Sequence, residues 1–236
     1  MKLTLVRHST LVLETSGKRI LVDPMLDEAG ARPPIEDTEN DLRNPLVPLP
    51  VPAAEVVAGI DGVVVTHLHQ DHFDDTAAAL LPRTLPLLTQ PESLEQLRSL
   101  GFDAATDEDT GWLGLDVART GGRHGTGETA EELGPVSGFV IDGVYVAGDT
   151  IWCDEVREAI DDLRPHTVVV NGSGARFVGG EPIVMDVDDV RALREATDAR
   201  VVVVHLESIN HCIERRDAYR EIRGVLVPDD GETLEL

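Results

Sequence analysis

At 236 residues the chain is long enough for one large α/β domain or two small ones, and no composition break divides it, so a single domain over 1–236 is expected. A net charge of −24, from 44 acids against 20 bases, argues against nucleic acid held on a broad basic face and against an anionic membrane surface. Hydrophobic residues make up 42% but aromatics only 3%, so a core must be built from Val, Leu, Ile and Ala. No stretch approaches the ~18 apolar residues of a membrane span. The N-terminus alternates like a strand and lacks the apolar centre of a signal peptide, so a cytoplasmic protein is expected. The two cysteines, Cys153 and Cys212, are far apart with no C-x-x-C spacing, and a disulfide framework is not expected. Lysine occurs only at Lys2 and Lys18. Self-repulsion at this charge destabilises a compact fold unless salt screens it, which predicts the high-salt cytoplasm of a halophile.

Leu3 to Arg7, Thr10 to Thr15 and Arg19 to Asp23 read as strands, the last two joined by a hairpin at Ser16-Gly17. From Leu26 to Pro52 proline, acids and arginine alternate without any period, which predicts a long loop of the kind that serves as a lid or binding loop. Ala53 to Ala58 predicts a short helix. The run Val63-Val64-Val65 reads as a strand buried on both faces. Helices are expected over Asp74 to Leu81 and from Gln90-Pro91 to Leu100, around a short strand at Leu85 to Thr89. Phe102 to Ala105 and Trp112 to Arg119 read as strands, and Gly121 to Gly127 as irregular backbone. Val136 to Ile141 and Val144 to Ala147 form a predicted hairpin turned at Asp142-Gly143. Strand-helix units follow: a helix at Asp154 to Leu163, strand Thr167 to Val170, and a helix at Asp186 to Ala196 with Asp186 as N-cap. Strand Arg200 to Val204, a helix at Ile213 to Ile222, strand Val225 to Val227 and an edge strand at Thr233 to Leu236 complete the chain.

The Val63 strand runs directly into His67-Leu68-His69-Gln70-Asp71-His72. Three imidazoles this close repel one another when protonated and cost desolvation when buried, and a metal ion removes both problems. Imidazole with carboxylate is the ligand set of zinc, iron or manganese. His124, Asp149 and His205 stand at the ends of later predicted strands, and in open α/β sheets ligands gather at that edge.

This ordered set resembles the metallo-β-lactamase superfamily, whose hallmark is H-x-H-x-D-H followed by a distant His, a distant Asp and a last His. Here these are His67 to His72, His124, Asp149 in Gly148-Asp149-Thr150, and His205; the opening strand pair ending at Asp23-Pro24 is similar too. The resemblance implies an α/β (α+β) fold, a four-layer αββα sandwich with two metals at one edge. It implies one metal on His67, His69 and His124, a second on Asp71, His72 and His205, and Asp149 between them. Zinc is the expected ion, with manganese or iron as alternatives, since three neutral imidazoles on a dication suit zinc and leave a position open for water. Paired ions clamp the attacking and leaving oxygens and lower the pKa of water to ~7, which predicts hydrolysis by a bridging hydroxide.

Asp71, Asp149 and His211 are the candidate catalytic residues, His211 as proton donor to the leaving group. His211 also competes with His205 for the last ligand position, and the strand end favours His205. His8, Asn171 and Arg176 are candidate substrate-side residues, Arg176 through bidentate binding of an anion. The short helix-strand segment between Asp149 and His205 leaves no room for the inserted domain of the superfamily's nuclease branches. The stretch from Gly148 to His211 looks most like the hydrolases similar to ascorbate-phosphate lactonase. A small-molecule ester, lactone or phosphodiester is the expected substrate. The alternative is an iron-dependent oxidoreductase of persulfide or oxygen chemistry on the same ligands. A homo-oligomer is left open.

Overall fold

The computed structural model describes residues 1–236. Two sheets form its centre. The first joins β1 (Lys2–Arg7), β2 (Thr10–Thr15), β3 (Lys18–Val22), β4 (Gly62–Val65), β5 (Leu87–Thr89), β6 (Ala105–Thr106) and, at its opposite edge, β13 (Thr233–Glu235), in the order β13-β1-β2-β3-β4-β5-β6. The second holds β7 (Val117–Thr120), β8 (Gly138–Ile141), β9 (Val144–Val146), β10 (Thr167–Asn171), β11 (Arg200–Val204) and β12 (Val225–Leu226), in the order β12-β11-β10-β9-β8-β7. The hairpins β1-β2, β2-β3 and β8-β9 pair antiparallel, as do β7 with β8 and β1 with β13, while β3-β4-β5-β6 and β9-β10-β11-β12 pair parallel.

The valine runs explain the layering. Val64, Val169 and Val202 face the core between the sheets, together with Leu3, Leu13 and Phe139. Their neighbours Val63 and Val65 point to the other side, against α2 (Asp75–Leu80) and α3 (Pro91–Ser99), with Ala77 and Leu97. Val168, Val170, Val201 and Val203 likewise pack against α5 (Asp154–Leu163) and α6 (Val187–Ala196), through Val156, Ile160, Val190 and Leu193. Because side chains alternate across a strand, each β-branched run fills two cores at once. The result is the four-layer αββα sandwich of the metallo-β-lactamase fold. No helix is long and apolar enough to cross a membrane.

Several expectations are corrected. Only Ala105–Thr106 pairs as a strand, because Phe102 N bonds Leu97 O and its ring packs edge-on against Phe73. Trp112–Gly114 is a 3-10 turn and the strand begins at Val117. A helix not foreseen, α4 (Gly127–Leu133), follows the glycine loop. The expected helix from Ile213 shrinks to α7 (Arg216–Arg220), since Ile213 N and Glu214 N both donate to Ser173 O. The helix from Ala53 is the single turn α1 (Ala53–Val56). Asp186 does cap α6, accepting from Asp188 N and Asp189 N.

Candidate metal centre

The carboxyl ends of β4, β9 and β11 and the loops after β1 and β7 meet at one place. β4 delivers His67, His69, Asp71 and His72; the loop after β7 brings His124; β9 ends in Ala147-Gly148-Asp149; β11 ends at His205. Gly148 turns the chain with φ 71°, and a Cβ there would stand 3.0 Å from Ser137 O, so only glycine delivers Asp149 at this point.

Asp149 is the hub. Its Oδ2 lies 3.2 Å from His72 Nε2, 3.5 Å from His124 Nε2 and 3.9 Å from His67 Nε2, while Oδ1 lies 3.4 Å from His205 Nε2. Asp71 Oδ2 is 3.5 Å from His205 Nε2 and 3.9 Å from His72 Nε2. His67, His69 and His124 form a second group of converging donors, with His67 Nε2 3.0 Å from His69 Nδ1. The structure thus brings all seven expected ligands together. All are buried except His69, which is partly open.

The outer partners fix how each ring faces. His72 Nδ1 donates to Asp23 Oδ2 at 2.8 Å, and His124 Nδ1 donates to Ile183 O at 2.8 Å. His205 Nδ1 lies 3.0 Å from Ser173 Oγ, and His67 Nδ1 lies 3.1 Å from Thr66 Oγ1. Each ring is held on one nitrogen and turns the other inward, the arrangement that orients metal-binding histidines. His72 Nε2 and His205 Nε2 are buried without a hydrogen-bond partner. Orphaned inward nitrogens are costly unless something binds them, so the donor set fits metal.

Electrostatics agree. Burial pushes the His67 imidazole well below its ordinary value, and burial likewise lowers His124, to about 4, so both are neutral donors. Burial also acts on His72, but Asp149, Asp23 and Asp71 outweigh it and raise its pKa. Burial alone would raise Asp149 and Asp71; His72 and the neighbouring imidazoles hold both well below the usual carboxylate range. Burial also acts on His205, but Asp149 and Asp71 outweigh it and raise it to about 10. The two carboxylates thus draw positive charge to this point while His67 and His124 stay neutral donors, a combination that suits a cation.

His205 and His211 now separate. His205 Nε2 sits between both carboxylates, whereas His211 Nε2 approaches only Asp71, at 3.9 Å, and lines the cavity above. The three expected substrate-side residues support ligands or lie outside the cavity wall. His8 is fully buried, its Nε2 3.2 Å from Asp71 Oδ2 and its ring centroid 3.6 Å from that of His205, with the planes tilted by 38°. Asn171 Nδ2 donates to Asp149 Oδ1 at 2.6 Å. Arg176 Nε donates to Gly174 O, and its side chain does not line the cavity. Ser173, expected from sequence to line the pocket, instead holds His205, while Asp23 and Thr66 were not expected at the site; the one trace is that each of the three stands just past a strand end.

The long loop roofs this centre. Asp27, Arg32, Ile35 and Asn44 line a cavity of about 250 Å³ whose floor holds His69, Asp71, His124 and Asp149.

Fold and donor set are of the metallo-β-lactamase type, and the chains similar to this one form a family of metal-dependent hydrolases. The chain belongs to the β-lactamase superfamily: the model of the β-lactamase superfamily domain matches residues 18–206. It is 34% identical, over 99% of each chain, to the UPF0173 protein YddR of Bacillus subtilis. Among solved structures it is similar to an isothiocyanate hydrolase from Delia radicum gut bacteria, with 36% identity, a TM-score of 0.92 and coverage of 100% of this chain and 99% of that one. A possible metal-dependent hydrolase from Veillonella parvula superposes with a TM-score of 0.95 at 30% identity, over 100% and 99% of the two chains.

Proposed function

We propose that the protein is a dinuclear hydrolase of a small electrophile. The candidates are an ester, lactone or phosphodiester, joined by an isothiocyanate through the 36% identical relative. The observation that carries this reading is the convergence of seven donor side chains with two buried ring nitrogens left unpartnered. His67, His69 and His124 would hold one ion, Asp71, His72 and His205 the other, with Asp149 shared. Two divalent ions, zinc by ligand preference, supply Lewis acidity toward the substrate and water of lowered pKa, ~7.

The remaining work falls to the chain. Asn171 holds Asp149 Oδ1 and leaves Oδ2 directed at the histidines. The Asp23, Ser173 and Ile183 contacts keep His72, His205 and His124 in a single orientation each. His211 presents a buried, unpaired Nε2 at the cavity, placed to give a proton to the departing group.

The test is metal analysis of the purified protein together with turnover of lactones, esters, phosphodiesters and isothiocyanates at high salt. Two ions per chain and hydrolysis are expected, and Asp149→Asn is expected to lower both. Retention of both in Asp149→Asn would sink the assignment. Iron in the site with oxygen consumption would instead favour the oxidoreductase reading.

A further inference from the structure

The cavity above the donor cluster has two characters. Its floor is made by the ligands and His211, while its walls are Met25, Ile35, Leu133, Phe177, Ile183 and Ile209, brought from separate parts of the chain. At about 250 Å³ it falls below the ~300–1,000 Å³ of pockets for drug-sized ligands.

The charged side chains and the Asn44 amide on the walls are already committed. Arg32 is the one cation in the lining; its Nε pairs with Asp27, and its Nη2 lies 3.1 Å from Asp75 Oδ2. Asp27 also accepts from Thr76 Oγ1 at 2.5 Å, and its backbone N donates to Asp74 Oδ2 at 2.6 Å. Acids therefore outnumber the single guanidinium around it. The Asn44 amide is spent on Asn210, with Nδ2 donating to Oδ1 at 2.7 Å and Oδ1 accepting from the backbone N at 2.9 Å. Gln70, the remaining polar wall residue, is neutral.

From this we propose that the site takes an uncharged molecule with a short apolar substituent and rejects one carrying a carboxylate or phosphate away from the reacting centre. The proposal rests on the hydrolase reading and narrows its substrate class. A remote anion would lose water against apolar walls without gaining an unpaired cation, which is costly. It would also approach through the field of a chain at −24. An apolar group loses nothing by entering and is favoured by burial.

The experiment uses metal-loaded full-length protein and matched probes: phenyl acetate against para-carboxyphenyl acetate, and phenyl isothiocyanate against para-carboxyphenyl isothiocyanate. Each kcat/KM is divided by the rate of the hydroxide reaction to remove intrinsic reactivity. The uncharged member is expected to win at least about tenfold, as unpaired burial of a charge dictates. Phe177→Arg, which adds a free cation to the wall, is expected to shift this ratio toward the carboxylate with metal content unchanged; Ile35→Arg replaces it should that variant not fold. Binding of benzamide and of its para-carboxylate, read by saturation-transfer NMR, separates the two readings. Benzamide bound without turnover of any probe leaves the cavity inference standing and fails the hydrolase reading. Equal or better handling of the carboxylate, or no binding of either benzamide, overturns the inference.

Discussion

Asp23 adopts a left-handed backbone, φ 44°, which costs a non-glycine residue energy. In that conformation its carboxylate accepts from Thr66 N at 2.8 Å, Thr66 Oγ1 at 2.7 Å and His72 Nδ1 at 2.8 Å. One buried side chain thus ties the end of β3 to the start of the ligand loop and sets the tautomer of a ligand. His205 and His8 are also left-handed, at φ 65° and 61°, and are joined by His205 N to His8 O. Strain of this kind persists where the surroundings over-determine it. Asp23→Asn keeps the shape but supplies an amide where two donors and an imidazole need acceptors. Metal affinity is expected to fall about 10–100-fold, read by competition with a chelator. Unchanged affinity would show that Asp23 serves the fold alone. The ligands themselves were legible, because they are chemically distinct and closely spaced. Asp23 was not, because a bond between residues 49 apart leaves no local pattern.

The loop over the site is built as a fixed roof. Arg7, fully buried, donates to Met25 O, Asp27 O and Val47 O, and so clamps both ends of the segment. Asn210 clamps its middle: Oδ1 accepts from Ile35 N and Asn44 Nδ2, while Nδ2 donates to Ile35 O, Thr38 Oγ1 and Asn40 O. Asn210→Ala removes these bonds and strands buried polar groups at about 1–3 kcal/mol apiece. A loss of roughly 3 kcal/mol is expected, with new proteolytic cuts between residues 26 and 52. A variant as protease-resistant as the parent would show that Asn210 does not hold the roof. Composition revealed a long loop here, yet aperiodic sequence carries no sign of what ties it down. The same limit hid α4, which begins at a glycine and buries no residue fully. It also overstated the helix at Ile213, whose backbone is claimed by Ser173. A second fastening joins the two sheets at the far end. Asp142, in the β8–β9 turn, accepts from Thr15 Oγ1 and Ser16 Oγ at 2.7 Å and from Asp116 N at 3.0 Å. Burial opposes its ionisation, but these bonds prevail and hold the carboxyl below its ordinary value. A depressed carboxylate contributes stability above its unfolded pKa, near ~3.9, and that contribution is lost as pH falls through the folded value. Asp142→Asn, tolerated at φ 46°, is therefore expected to be less stable at pH 7 by at most about 1 kcal/mol after solvent screening. The gap should close below about pH 4; a gap that widens in acid contradicts the assignment.

At the scale of the whole molecule the order of motifs and the alternating valines carry the architecture, since a strand that must be apolar on both faces fits only between two layers. Charge acts independently of that architecture. Asp23, Asp27, Asp71, Asp74 and Asp149 lie inside, as does Arg7, but most of the 44 acids stand on the surface, against a total of 18 arginines and two lysines. Added salt has two opposed effects there. It weakens exposed pairs such as Lys2–Glu235, Arg157–Asp154 and Arg191–Asp188, each worth about 0–1 kcal/mol. It also screens the mutual repulsion of the excess acids, with a Debye length that shrinks from ~10 Å at 0.1 M to ~3 Å at 1 M. The imbalance of −24 makes the second effect the larger. We predict that Tm rises by about 5–10 °C between 0.1 M and molar KCl, which corresponds to roughly 2–3 kcal/mol for a chain of this size. KCl is the appropriate salt, because sulfate strengthens apolar burial in any protein. Most of the gain should arrive below about 1 M, where screening changes fastest. A Tm that falls on adding KCl would show that surface pairing outweighs repulsion, and the halophilic reading of the composition would then fail.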